Sequence, residues 1–472
     1  MGQGLTENGT KHVMHQLTTQ SLPPARLARL LCLTTILASA HGANAQGFKM
    51  SDKLTLKADL TLKETYDDNV YILDTEPYPY IVPPPHSIVA VPDKGSFVTT
   101  ITPSLNLTYL AGPEFSASLS YAPDMVWYDS APSQNYVAHR ANLNFTGKIQ
   151  EISYEWLNSA TWIDGSDLTV TTLRPGDCRA IGGIPLRDRC DAAVYRDSIK
   201  VTIPTGKWFF RPVFTSYVHD FKTEQRVNRK PNEYIYDNYI DRWEVNGGMD
   251  IGYEVFDKTK LFVGYRYGHQ SQGTVLKAGA TPGSTVTAES PYDNNYQRLL
   301  LGIEGTPAPW VKLAVMAGPE TRDWLDDTPA GFDRGKMLWF VDAQVTLLPT
   351  KEDTCTLKMT RFEQPAFTSQ SVYQDIKYDI GWRHKFSDKF TVGAGFTIYN
   401  GLWQEPALRN DWIYTPSLMA SYAFSPNLTA EASWSHDNAV NRETPVAGTS
   451  TQYAEGREFQ RNLYSVALKY TF

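Results

Sequence analysis

The sequence predicts an all-β protein, an up-and-down antiparallel β-barrel of about eighteen strands (16–18) that crosses a membrane. Three observations predict it. Segments of about ten residues alternate apolar and polar side chains along most of the chain, the period-two pattern of a strand with one face in hydrocarbon and one in water. The connections between them alternate short and long, as in barrels that keep tight turns on the periplasmic side and longer loops outside. The chain closes on Asn462-Leu-Tyr-Ser-Val-Ala-Leu-Lys-Tyr-Thr-Phe472, where Tyr464, Val466, Leu468, Tyr470 and Phe472 share one face and Ser465, Ala467, Lys469 and Thr471 the other.

Composition agrees. Aromatic residues are 12% of the 472, with 27 Tyr and 12 Trp, yet no run approaches the length of a membrane helix, which needs about 20 apolar residues. Aromatic excess of this kind suits girdles at the two water interfaces.

Taken in order, the chain begins with Leu27 to Ala40, an apolar stretch preceded by Arg26 and followed by Ala43-Asn44-Ala45. This layout predicts a signal peptide over residues 1–45, cleaved before Gln46. Both Met1 and Met14 offer a start, and Cys32 falls within the discarded leader. Removing Lys11, Arg26, Arg29 and Glu7 takes the formal charge from −7 to −9. A mildly acidic mature chain argues against a nucleic-acid partner, which requires a basic surface.

Residues 46–472 then read as one barrel domain. Leu54-Thr-Leu-Lys-Ala-Asp-Leu-Thr-Leu-Lys63 is the first strand, and the pattern returns near 97–109, 114–128, 134–146, 151–163, 193–203, 207–221, 238–255, 259–270, 293–305, 310–323, 335–348, 353–366, 371–385, 389–402, 411–424, 427–437 and 458–472. Short turns are expected at 111–113, 147–149, 204–206, 256–258, 306–309, 348–351, 387–388 and 425–427. Aromatics that include Tyr109, Phe145, Trp208, Tyr253, Trp310, Trp382 and Phe424 gather beside them. Residues 71–95, 165–192 and 271–292 form the longest outer loops, long enough to fold inward and narrow the bore.

Cys178 and Cys190 lie in the second of these loops. In an oxidising exported compartment a disulfide is the expectation, contributing about 3 kcal/mol against local disorder. Cys355 has no evident partner.

The motif Glu64-Thr-Tyr-Asp-Asp-Asn-Val-Tyr71 stands at the end of the first strand. Together with the signal peptide and a last strand ending Tyr-Thr-Phe, it resembles the β-barrel porin type 2 family of outer-membrane proteins. The resemblance implies a conduit in the bacterial outer membrane, porin-like or accessory to surface-polysaccharide systems, and leaves its cargo unnamed. It implies that Tyr470 and Phe472 belong to an assembly signal. The expected partners are outer-membrane lipid and lipopolysaccharide, the barrel-assembly machinery, and a hydrophilic solute or polysaccharide. A homotrimer is a further expectation. The cysteine loop and the Pro77 to Pro85 insertion fall outside the family's pattern.

Alternation assigns one face of each strand to the lumen. The predicted pore-lining charges are Lys57, Asp59, Arg140, Glu155, Arg211, Glu244, Asp250, Glu254, Arg266, Glu304, Lys312, Asp342, Lys358, Lys377, Asp379, Arg383, Glu431 and Lys469, both signs in near balance. Mixed wall charge tunes what passes; the competing reading is an ion-paired interior that only holds the barrel in shape. Asp67, Asp68 and Asn69 offer oxygens at the outer rim that Ca²⁺ could use, against a reading as a hydrogen-bonded turn, since a calcium cage needs six or more oxygens.

Two other function classes weigh less. His219-Asp220 and His436-Asp437 face opposite ways on a strand, and no nucleophile elbow, zinc-protease motif or phosphate loop is present, so no enzyme and no cofactor is expected. An adhesive surface barrel would use the Pro-Tyr insertion as its epitope. An energised transporter needs a plug domain, for which residues 46–53 leave no room.

Overall fold

The computed structural model describes residues 47–70, 80–81, 88–89, 95–165, 192–221, 240–273, 275–278, 285–366, 371–405, 410–442 and 459–472. The signal peptide, the Cys178 and Cys190 pair and most of the loop 165–192 lie outside them.

Eighteen long antiparallel strands form one sheet: β1 Leu54–Asp67, β2 Ser96–Leu110, β3 Phe115–Tyr128, β4 Tyr136–Ile149, β5 Ile152–Gly165, β6 Ala192–Thr205, β7 Trp208–Phe221, β8 Arg242–Phe256, β9 Thr259–Gln272, β10 Asn294–Ala308, β11 Val311–Trp324, β12 Leu338–Leu347, β13 Asp353–Pro365, β14 Val372–Lys385, β15 Phe390–Trp403, β16 Asn410–Ala423, β17 Leu428–Asn441 and β18 Phe459–Thr471. Each pairs with its neighbours in sequence, and β1 pairs with both β2 and β18. The sheet is therefore closed, which leaves no row of backbone donors facing lipid. A two-residue strand, Phe48–Lys49, adds to the foot of β1, and the Phe472 amide donates to the Ala58 carbonyl, so the seam is bonded to its last residue.

The outer face carries the alternating apolar set. Leu105, Leu301, Leu418 and Val466 are each half or more exposed, as hydrocarbon-facing residues of a barrel must be. Aromatic rings cluster beside the short turns: Tyr109 with Phe115, Trp208 with Tyr253, Tyr422 with Phe424, and Tyr470 with Phe472. This is a transmembrane barrel of the bacterial outer-membrane type.

Several expected boundaries move. The turn expected at 147–149 is Gln150–Glu151, with Gln150 at φ 56, and the turn expected at 306–309 begins only after Ala308. Strands extend past the bilayer on the outer side, β1 to Asp67 and β17 to Asn441, because cross-strand pairing continues where alternation no longer has a lipid boundary to mark. The strand expected from 238 begins at Arg242. At Gly305 the backbone takes φ +130 within a bulge, and a Cβ there would lie 1.9 Å from the Lys258 carbonyl oxygen; only glycine fits.

Candidate functional site in the lumen

The pairing register puts Lys57 and Asp59 on the inner face of β1, Arg140 on β4, Glu155 on β5, Arg211 on β7, and Glu244, Asp250 and Glu254 on β8. Arg266, Glu304, Lys312, Asp342 and Lys358 follow on the inner faces of β9 to β13. Lys377, Asp379 and Arg383 lie on that of β14, Glu431 on β17 and Lys469 on β18.

Many of these charges are tied to one another. Arg211 bonds Asp250 at 2.9 Å and both oxygens of Glu304 at 2.8 Å, with its guanidinium between the rings of Phe209 and Phe262. Arg266 meets Asp250 at 2.7 Å. Arg140 pairs with Asp124 at 2.8 Å, Lys200 with Glu155 at 3.2 Å, and Lys377 with Asp379 at 3.1 Å. Asp59 accepts from Thr471 at 2.5 Å, with Lys469 3.6 Å away. The wall is thus a lattice of ion pairs around a polar bore.

A second group closes part of that bore. Arg322 on β11 donates to Glu320 at 2.7 Å, to the Gln270 side chain at 2.6 Å and to the Glu363 backbone carbonyl at 2.6 Å. Glu320 also pairs with Arg298, and the Glu363 carboxylate accepts from Gln404 at 3.1 and 3.0 Å. Arg242 on β8 donates to the Pro365 carbonyl at 2.6 Å, and Gln272 on β9 to the Ala366 carbonyl. Glu320, Arg322 and Glu363 side chains are about 1% exposed.

These bonds require the outer end of the β13–β14 hairpin to lean into the barrel. Strands about 4.8 Å apart, tilted about 40°, give an eighteen-strand ring roughly 36 Å across between backbones. β8 and β13 are five strands apart, so in an upright ring their backbones would stand roughly 28 Å apart, far beyond an arginine's reach. The hairpin crosses that gap. Its turn is held by the Ala366 amide donating to the Ser371 carbonyl, and Tyr373 stacks on Trp403 behind it. Tyr292, Trp324, Phe332 and Val372 cover the outer side as an apolar cluster. Burial pushes the Tyr292 hydroxyl up to about 12, against the opposing effect of a hydrogen bond with Ser371, so the phenol stays neutral.

The expectation that loops 71–95, 165–192 and 271–292 would narrow the bore falls largely outside the described residues. The inward hairpin is instead one whose connection, 366–371, is short. Sequence reasoning also missed Arg298, Glu320 and Arg322. Alternation carried a usable signal for them, since they share a face with Glu304 and Lys312. For Glu363 it carried the wrong one: strict parity from Leu357 places it outside, and only the inward lean buries it.

Cavities among the described residues include two in the lumen. One of about 590 Å³ runs along the inner faces of β13 to β18 and β1, lined by glycines and by hydroxyls such as Thr65, Ser417 and Ser465, with Lys63, Arg383 and Glu431. The other, about 560 Å³, lies against β4 to β8 and is bounded across the lumen by Arg298, Phe340 and Phe362.

The rim motif binds protein rather than standing free. Asp68 accepts from the Asn462 amide at 2.6 Å and side chain at 2.8 Å, Asn69 donates to the Gln460 carbonyl, and Asp67 accepts from the Asn69 amide. It clasps β1 to β18. Among the described residues no three His, Cys, Asp or Glu side chains are grouped to hold a metal ion. His219 faces inward and Asp220 outward; His436 faces outward and Asp437 inward. Cys355 is a free thiol on the outer face of β13.

No family model and no curated protein matches this chain. Solved structures with similar folds include the siderophore receptor PiuA from Acinetobacter baumannii, 12% identical with a TM-score of 0.41 over 89% of this chain and 82% of that one. OccAB3 from the same organism is 10% identical with a TM-score of 0.33 over 88% and 99%. A loop-deleted form of the outer membrane protein OmpT of Vibrio cholerae is 10% identical with a TM-score of 0.34 over 89% and 100%. Likeness at this level carries no argument about what the chain does.

Proposed function

We propose that this barrel is a porin-like channel for passive diffusion of small hydrophilic solutes, in keeping with its resemblance to the β-barrel porin type 2 family. The observation that carries the reading is a wide closed barrel whose lumen is polar and incompletely filled, with cavities of about 590 and 560 Å³ beside the inward hairpin. Eighteen strands enclose more space than side chains fill. Mixed charge and the hairpin then set the size and sign of what passes. Reconstitution of the full chain in planar bilayers should give stepwise conductance, and a sealed, silent barrel would refute it.

A second reading, passage of a surface polysaccharide, is favoured by the glycine and hydroxyl wall of the larger cavity, which suits an uncharged polyol chain. Deleting the gene would then remove surface polymer and leave small-solute uptake unchanged.

A further inference from the structure

The smaller cavity holds a cation that the ion-pair lattice does not absorb. Arg196 projects from the inner face of β6, opposite Tyr217 on β7, with its guanidinium 5.1 Å from that ring's centre. It is exposed to the lumen, and among the described residues no carboxylate lies within ion-pair distance of it. The other three charges of the lining are already engaged: Asp197, on the outward parity of β6, accepts from the Trp156 indole at 2.6 Å. Glu244 accepts from Tyr296 and Gln270, and Arg298 pairs with Glu320 while lying 4.3 Å from the centre of the Phe340 ring. The cavity therefore presents one available positive charge. Around it stand the amides of Asn142, Asn144 and Asn246, and Phe362 brought in by the hairpin. Asn142 and Asn246 each give one amide hydrogen to a neighbouring hydroxyl, on Ser120 and Thr215, and keep their carbonyl oxygens for another donor.

We infer that this cavity is a binding subsite for a hydroxylated monocarboxylate, an acidic sugar being the fitting class. Arg196 takes the carboxylate in a two-pronged bond, the asparagine amides meet ring hydroxyls, and Phe340 or Phe362 covers the apolar face of the ring. The inference rests on the lumen being open to solute but not on the barrel conducting, so binding is measured apart from current. The full chain in detergent micelles is titrated calorimetrically with glucuronate, with glucose and with a short galacturonate oligomer. Glucuronate should bind and glucose should bind at least about tenfold more weakly, the worth of a charge-assisted hydrogen bond. Tighter binding of the oligomer would assign the site to a polymer, and equal or weaker binding to a free sugar acid; either supports the inference. Arg196→Gln should lose about tenfold or more for the acids and nothing for glucose, with Arg196→Lys in between. Equal binding of glucose and glucuronate, unchanged binding in Arg196→Gln, or no binding of any probe would overturn it. Unchanged heat-dependent migration of the variants on gels shows that they fold. Conductance without acid binding would sink this inference alone.

Discussion

Releasing the inward hairpin tests the central feature of the lumen. In the double substitution Arg242→Ala with Arg322→Ala, the two guanidinium bonds to the Pro365 and Glu363 carbonyls, both 2.6 Å, are lost. Hydrogen bonds from a charged group contribute about 1.5–3 kcal/mol each, so together about 3–6 kcal/mol. At 1.4 kcal/mol per tenfold, the ratio of docked to released hairpin falls by about 10² to 10⁴. Loss of Arg322 also leaves Glu363 to Gln404 and Glu320 to Arg298, which adds to the effect. Two readouts follow the release: amide hydrogen exchange across 361–376 should speed by about a hundredfold or more, and mean single-channel conductance should rise. The docking argument is refuted if exchange in 361–376 stays at the wild-type rate in a barrel that still migrates as folded.

Three further outcomes follow from other contacts. Asp68→Ala removes both bonds to Asn462 and should lower urea stability in detergent by about 1–3 kcal/mol, without changing conductance. Leu301→Arg on the outer face, where Leu301 is 67% exposed, should cost about 2–4 kcal/mol in a lipid bilayer if the site is near the midplane; Lys358→Ala on the inner face should leave stability nearly unchanged, and parity of the two results would contradict the assignment of faces. Gly305→Ala forces a Cβ against the Lys258 carbonyl at a positive φ and should cost at least about 1–3 kcal/mol, read from the urea midpoint.

The barrel was legible because its physics is periodic. A strand such as Leu54 to Lys63 meets lipid on one side and water on the other, so every second residue repeats the same message. Where that boundary ends, the message ends: Tyr66 to Asn69 and Asn438 to Asn441 lie above the hydrocarbon, and the ladder there is set by pairing with β18 and β16 that no local pattern announces. The ion-pair partners are illegible for a related reason. Glu304 and Arg211 are 93 residues apart, and alternation gives the face each occupies without the height at which they meet. Glu363 shows the limit. Its parity reads as lipid-facing, yet it is 2% exposed inside the molecule, because β13 parts from β12 beyond Arg361 and leans inward with β14.

That inward lean explains why so much charge is buried on β8 to β11. A barrel interior open to water would leave Arg298, Glu320 and Arg322 solvated, and their pairing would then contribute little. With the hairpin docked they lose water, and each must find a partner or cost several kcal/mol. Arg298 and Arg322 both pair with Glu320, and Arg322 and Arg242 donate to the carbonyls of Glu363 and Pro365, groups that strand pairing within β13 and β14 leaves free at the tip. The docked hairpin and the arginine wall therefore require each other: without the arginines the hairpin's carbonyls would lack donors, and without the hairpin the arginines would have no reason to be drawn from water. The same docking carries Phe362 to the edge of the cavity at Arg196, so the element that narrows the bore also shapes a place in it where a positive charge is left for a solute.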